Sequence, residues 1–365
     1  MTNNRPTRAL INSQAMAHNL NIVRQLAGDA KVMAVVKADG YGHGMETVAK
    51  ALKSADEFAV NGMDDANRLR SAGINKPLTL LCDPLSTSQL NKLSHQNIRP
   101  TLFDINQLDD YLGMQHDASL SIWLKVDTGM SRLGVLPEQV ADVMSRLQQA
   151  QGIKEVSLMT HLANADDVNH PLNQQQIRLF KQMAEQFSFK QKSILNSAGV
   201  ISLSESAHQQ IEGDIFVRPG VMLYGASPML GMVGKQHELK LAMEFRSKLI
   251  SIKDLKAGST IGYGSTYVLK KQTKVGVIAC GYGDGYPRHA PTGTPVLVNG
   301  QPAPLIGRVS MDMITVDLTG IDTKLGDEVI LWGEDNPIEH VAAQADTIAY
   351  ELMCGILPRV QKELV

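Results

Sequence analysis

Lys37 stands directly behind the apolar run KVMAVV and just ahead of DGYGHG, so an amine is delivered from a buried segment onto a glycine-rich turn. Desolvation favours the neutral, nucleophilic form of an amine, which is what lets a lysine condense with an aldehyde. Gly40, Gly42 and Gly44 allow the backbone to turn tightly and approach a ligand. A surface lysine ahead of a loop fits the same short pattern. A second segment, LKVDTGMSRLG, offers Lys125, Asp127 and Arg132, and a guanidinium can hold a carboxylate through two parallel hydrogen bonds. Arg218, in FVRPGVMLYG, is a further fixed cation, protonated under nearly all conditions. An arginine before Pro-Gly also serves as a plain charge at the end of a strand.

The segment CGYGDGYPR displays Tyr282 and Tyr286 on a glycine-rich turn. A dinucleotide-binding GxGxxG loop would have to open a helix, which Pro287 and the prolines after it forbid. A half-buried core ring with a bonded hydroxyl remains the default for most of the tyrosines. His161, Asp166, Asp167 and His170 are metal-type side chains close in sequence, but their spacing matches no standard ligand set, so no metal is expected.

These residues need elements to carry them. From about residue 13 to 230, short β-branched runs alternate with stretches of helical period, the mark of parallel strands joined by crossover helices. Eight strands are expected, over residues 32–36, 57–60, 77–81, 99–103, 121–126, 156–161, 192–196 and 214–218. Amphipathic stretches such as METVAKALKSA and PEQVADVMSRLQQA fall between them. Eight such units suggest a closed βα barrel, with its site at the C-terminal ends of the strands. After Tyr224 the chain becomes aperiodic and glycine-containing. A barrel over 1–234 and a mostly β domain over 235–365 are therefore expected, the latter with runs MEFRSKLISI, KVGVIAC, PVLVNG, MITVDL and DEVILWG and one closing helix in EHVAAQADTIAYELMCGIL.

The 365 residues exceed what a single core usually organises, which agrees with two domains. A formal net charge of -2 supplies no field to draw the molecule to nucleic acid or anionic membrane, leaving small-molecule chemistry. Cys82, Cys280 and Cys354 are widely separated, which suits a reducing compartment. No secretory h-region follows the early arginines and no run has transmembrane length, so a cytoplasmic protein is expected.

AVVKADGYGHG resembles the cofactor-attachment signature of the alanine racemase family, whose lysine holds pyridoxal 5'-phosphate. LKVDTGMSRLGV, HLANADD, NSAG, RPGVMLYG, IGYGSTYV, GYGDGYPR, GRVSMDM and YELMCGILPRV resemble family segments in the same order, so the resemblance spans nearly the whole chain. It implies a βα barrel followed by a β domain, in agreement with the strand count. It also implies that Lys37 and Tyr282 are the two proton-transfer groups. Removal of an α-proton leaves a planar carbanion delocalised into the cofactor ring, and a proton returned on the opposite face inverts the centre. A free phenol ionises near pH 10, so a tyrosine base relies on nearby cations or dipoles.

By the same resemblance Arg218 faces the pyridine nitrogen and discourages its protonation, which makes the ring a weaker electron sink and suppresses transamination. His161 lies against the ring. Gly220 and Val221 give backbone N–H groups to the phosphate, with Tyr41, Asn196, Ser197 and Tyr350 at or beside it. Arg132 and the Met311 N–H take the substrate carboxylate, and Lys125 matches a lysine that is carbamylated in some members. Tyr350 and Tyr286 narrow the way in and favour alanine. Single methylenes are discriminated by only about 1–3 kcal/mol, so serine is expected as a minor substrate. The family tyrosine enters from the β domain of a second subunit, which implies a homodimer with shared sites. Ser131 stands where a glycine is common and Ser310 where a cysteine is common, departures that bear on local packing.

The expectation is an alanine racemase, supplying D-alanine for peptidoglycan or serving alanine catabolism. A broad-specificity or serine racemase is the nearest alternative. A decarboxylase of the same architecture would set an acidic residue where Arg218 stands, and a carrier without turnover would need only the barrel.

Overall fold

The computed structural model describes residues 5–115 and 119–365. The chain opens with a short strand, β1 (Arg8–Ile11), followed by the helix Ser13–Ala27, whose first turn is capped by the Asn12 side chain accepting from the Ala15 N–H at 3.0 Å. Eight parallel strands then close a barrel: β2 (Lys31–Val35), β3 (Glu57–Val60), β4 (Leu78–Leu80), β5 (Ile98–Leu102), β6 (Leu120–Lys125), β7 (Ile153–Met159), β8 (Lys192–Asn196) and β9 (Ile215–Arg218). Closure comes from β2 pairing with β9, Lys31 opposite Phe216 and Val32 opposite Val217. The strands are apolar along nearly their whole length because helices cover one face and the barrel interior the other. All eight lie where the sequence places them.

A satisfied polar plug sits near the N-terminal ends of the strands. Arg99 pairs with the buried Glu57, its guanidinium lies 4.6 Å from the Trp123 ring, and the Trp123 Nε1–H donates to Thr79 Oγ1 at 2.9 Å. The opposite end, where β2, β8 and β9 finish, is left for the site.

The second sheet has eight strands in the order Gln301–Pro304, Pro295–Val298, Glu328–Trp332, β10 (Met243–Leu255), β1 and Gln361–Leu364, with Thr273–Ile278 pairing β10 and Ile314–Asp317 pairing that strand. Register shifts at Phe245/Arg246 and at Leu249/Ser251 bend β10, so that one long strand serves several partners. The sequence reading begins its elements at residue 13 and misses β1. RALI is too short to show alternation, and its partners lie more than 230 residues away. Ile11, Leu20 and Val32 share one continuous apolar core with Phe245 and Trp332, so barrel and sheet are packed as one body.

One expectation needs correction. The closing stretch forms two helices, Ile338–Gln344 and Ala349–Cys354, rather than one. The break is at Asp346, which adopts φ 50°, and it swings the second helix over the barrel mouth, bringing Tyr350 and Cys354 to the cavity described next.

Candidate active site

Lys37 leaves the end of β2 and enters an uncommon local structure. Ala38, Asp39, Gly40 and Tyr41 have φ of 53°, 53°, 61° and 51°, a turn of left-handed helix. Three of the four carry a Cβ, each costing roughly 1–2 kcal/mol in this region. The turn persists because its surroundings over-determine it. Gly40 N–H donates to Val36 O at 3.0 Å, Gly42 N–H to Ala38 O at 3.0 Å, and Gly44 N–H to Asp39 O at 2.8 Å. The Asp39 carboxylate accepts from the Met45 N–H at 3.1 Å and pairs with Lys362 at 2.7 Å and Arg68 at 2.9 Å. Burial opposes that charge, but Lys362 and the Met45 N–H hold the carboxyl below its ordinary range. Gly42 is required sterically, since a Cβ there would sit 2.0 Å from Met353 O.

The amine opens into a cavity of about 540 Å³ at the C-terminal end of the barrel, a size suited to a small-molecule ligand. Lys37, Tyr41, Lys125, Arg132, His161, Asn196, Ser197, Arg218, Gly220, Val221 and Tyr350 line it together. Four cations meet there, and no Asp or Glu is among the described lining residues. The cavity is built for an anion.

Arg218 is buried, its Nη1 donating to Ser193 Oγ at 2.5 Å and its Nη2 to Thr160 O. Burial pulls its pKa down to about 9, which leaves it protonated near neutrality. His161 is held neutral by burial and by Arg218 and Lys125. Burial, then Arg218 and Arg132, lower Lys125 to about 8. The Asp127 carboxylate accepts from four successive N–H groups, those of Gly129, Met130, Ser131 and Arg132, at 2.9–3.0 Å. That clasp sets the path of the arm bearing Arg132. Ser131, which stands where glycine is common, has φ 57°, so the departure costs local strain.

At the other end of the cavity the Asn196 side chain caps the helix Ser197–Gln210, accepting from Gly199 N–H at 2.9 Å. Ser197 Oγ accepts from Gly220 N–H at 2.8 Å. A Cβ at Gly220 would lie 2.5 Å from the Tyr41 hydroxyl oxygen, so only glycine lets that hydroxyl approach the backbone. Helix start, hydroxyls and the Val221–Tyr224 turn together suit a phosphate.

Two family models cover most of the chain: "Alanine racemase, N-terminal domain" over residues 11–228 and "Alanine racemase, C-terminal domain" over residues 242–364. The chain belongs to the alanine racemase family. Alanine racemases of Shewanella woodyi and Vibrio vulnificus are each 44% identical to it, with 97% of both chains covered. The crystal structure of the biosynthetic alanine racemase of Pseudomonas aeruginosa superposes with TM-score 0.93 at 36% identity, covering 99% of each chain.

The family resemblance also points to Tyr282 and Met311, and these two lie outside the cavity of a single chain. Tyr282 is 38% and Met311 53% exposed, on the β domain. Their loops are joined, Tyr282 N–H donating to Ser310 O at 3.0 Å and Gly283 N–H to Met311 O at 2.8 Å. Beneath them the fully buried Asp284 accepts from Gly281 N–H at 2.9 Å and pairs with Arg5 at 2.6 Å and Arg359 at 2.8 Å. Tyr286, expected to narrow the way in, is instead buried and stacked on Trp332 at 6.2 Å, a core ring of the β domain. Tyr350 does line the cavity.

Sequence reading missed several participants. Thr160 and Ser193 hold Arg218, and Cys82 and Cys354 line the cavity. Cys354 was findable, since it follows Tyr350 by one helical turn. Tyr263, in the quoted segment IGYGSTYV, is 71% exposed on a turn flanked by Gly262 and Gly264 at φ 68° and 75°.

Proposed function

We propose that this chain is an alanine racemase that interconverts L- and D-alanine, using pyridoxal 5'-phosphate held by Lys37 in a homodimer with shared sites. The observation that carries the reading is the cavity itself: Lys37 and the buried Arg218 open into one space lined by cations and free of carboxylates among its described lining residues. That donor set fits a phosphate at the Ser197 and Val221 end and an amino-acid carboxylate near Arg132. Gly220 N–H is already given to Ser197 Oγ, so the hydroxyls of Tyr41, Ser197 and Tyr350 and the Val221 N–H remain for the phosphate. When bound, the cofactor supplies the electron sink that makes an α-proton removable.

Within that frame Lys37 moves the proton on one face of the substrate α-carbon. Arg218 would hold the cofactor ring at its nitrogen, and its fixed charge would favour inversion over side reactions that need a stronger sink. Arg132 orients the carboxylate, joined by a Met311 N–H brought to the site from a second subunit's β domain. Lys125, partly neutral near pH 8, is the amine suited to carbamylation. The second proton-transfer group must protrude from a partner's β domain. Tyr282 is the residue suggested by the sequence. Tyr263 meets the demand better, being 71% exposed against 38%, and is our stronger candidate. We place the enzyme in the cytoplasm; among the described residues no helix is long and apolar enough to cross a membrane.

Chiral inversion of a panel of L-amino acids, with added cofactor, tests the reading. Alanine is expected to invert fastest, with serine slow. Carbon dioxide release instead would mean a decarboxylase, and cofactor binding without either reaction a carrier.

A further inference from the structure

His43 belongs to the signature AVVKADGYGHG, yet no step above uses it. It is 1% exposed and lies behind the cavity wall rather than on it. Its Nδ1 is 2.8 Å from Tyr41 O and 3.1 Å from Gly40 O. A carbonyl oxygen only accepts, so Nδ1 carries the hydrogen and donates to both. Nε2 is buried with no hydrogen-bond partner among the described residues. Burial lowers the pKa to about 4, so the ring is neutral and Nε2 is a bare acceptor. The ring also packs on Tyr224 with centroids 4.8 Å apart, Tyr224 stacks on Tyr41 at 4.6 Å, and the Tyr224 hydroxyl donates to Val35 O at 3.0 Å.

We propose that His43 is a positioning residue whose Nδ1–H, shared between the carbonyls of Gly40 and Tyr41, pins the left-handed turn and so fixes Lys37 and the Tyr41 hydroxyl for the cofactor. Residues 38–41 need an outside clamp, since three of them are strained. Gly40 O also accepts from the His43 backbone N–H at 3.1 Å, so Tyr41 O is the carbonyl that depends on the imidazole, in a buried corner where water cannot replace the donor. A donor at the δ position is the requirement, not an imidazole. Asparagine presents its amide nitrogen where Nδ1 lies, whereas glutamine places its amide farther out, near Nε2.

The inference rests on the cofactor reading for its functional half, and the test separates the two. His43→Asn, His43→Gln and His43→Leu are compared by amide hydrogen exchange over residues 40–44 in cofactor-free protein, and by spectroscopic titration with pyridoxal 5'-phosphate. Expected is exchange about tenfold or more faster in the Leu and Gln variants, with Asn within about threefold of wild type. Cofactor affinity should follow the same order. Steric filling of a core site would rank Leu at or above Asn, and that ranking in the exchange data overturns the proposal. Equal cofactor affinity in all four proteins, despite altered exchange, overturns the link to Lys37. Wild type that binds no cofactor refutes the functional reading and its link to Lys37, while the exchange data still decide whether His43 pins the turn.

Discussion

Arg218 and Ser193 are locked together inside the barrel: the guanidinium Nη1 donates to Ser193 Oγ at 2.5 Å, and the same hydroxyl donates to Phe216 O at 2.7 Å. The charge that faces the cavity is thereby held from behind by an uncharged group, and among the described residues no carboxylate pairs with it.

Ser193→Ala should therefore destabilise the protein by about 1.5–3 kcal/mol, the cost of removing an acceptor from a buried charged donor. Urea unfolding measures this. A change below about 0.5 kcal/mol would show that Thr160 O suffices.

The left-handed turn gives an asymmetric pair of expectations. Gly42→Ala drives a Cβ to 2.0 Å from Met353 O at φ 81° and should cost at least about 3 kcal/mol. Ala38→Gly relieves strain and should leave stability unchanged or raise it by up to about 1 kcal/mol. Thermal melts of both suffice, and a strongly destabilised Ala38→Gly would refute the account of strain.

Lys125 has a folded pKa of about 8 against an ordinary value of 10.5. Between those values the unfolded chain holds a proton that the folded chain has released, so wild-type stability rises with pH across that window. Below pH 8 the penalty of the buried ammonium is present in full. Lys125→Met should thus be the more stable protein at pH 7, its advantage shrinking from pH 8 to 10.5. Melting curves in bicarbonate-free buffer check the sign; a constant gap would refute it.

Tyr263→Phe should slow α-proton exchange of one enantiomer by about 10²–10⁴-fold while leaving cofactor absorbance intact. Tyr282→Phe should have the smaller effect; the reverse order would restore Tyr282 as the base. Mixing Lys37→Ala subunits with those of the stronger tyrosine variant should recover activity if each site draws on two chains. Failure of recovery with subunit exchange verified would exclude shared sites.

The barrel was legible because each parallel strand is a short apolar run between turn signals, and eight such runs leave few alternatives. The ring of cavity residues was legible through long motifs at strand ends, from Lys37 to Tyr350. What escaped depended on geometry that local pattern does not encode. Tyr286 and Tyr282 share one glycine-rich segment, yet one is buried on Trp332 and the other exposed. Ser193 and Thr160 are ordinary residues in strand-like runs until Arg218 meets them. The left-handed turn carries only one glycine among four positions, so composition hid it.

The placement of β1 between β10 and Gln361–Leu364 bears on synthesis at the ribosome. β1 has neither sheet neighbour until the barrel has emerged and β10 follows it, and its other flank is closed only once Gln361–Leu364 is made. The barrel precedes the sheet that docks on it, and the earliest segment waits as a tether. The parallel pairing of β1 with Gln361–Leu364 also lays an early and a late strand side by side, running the same way. A peptide running back along the pair from Leu364 to Arg8, with new ends cut in a surface loop, would give the tether its neighbour at once.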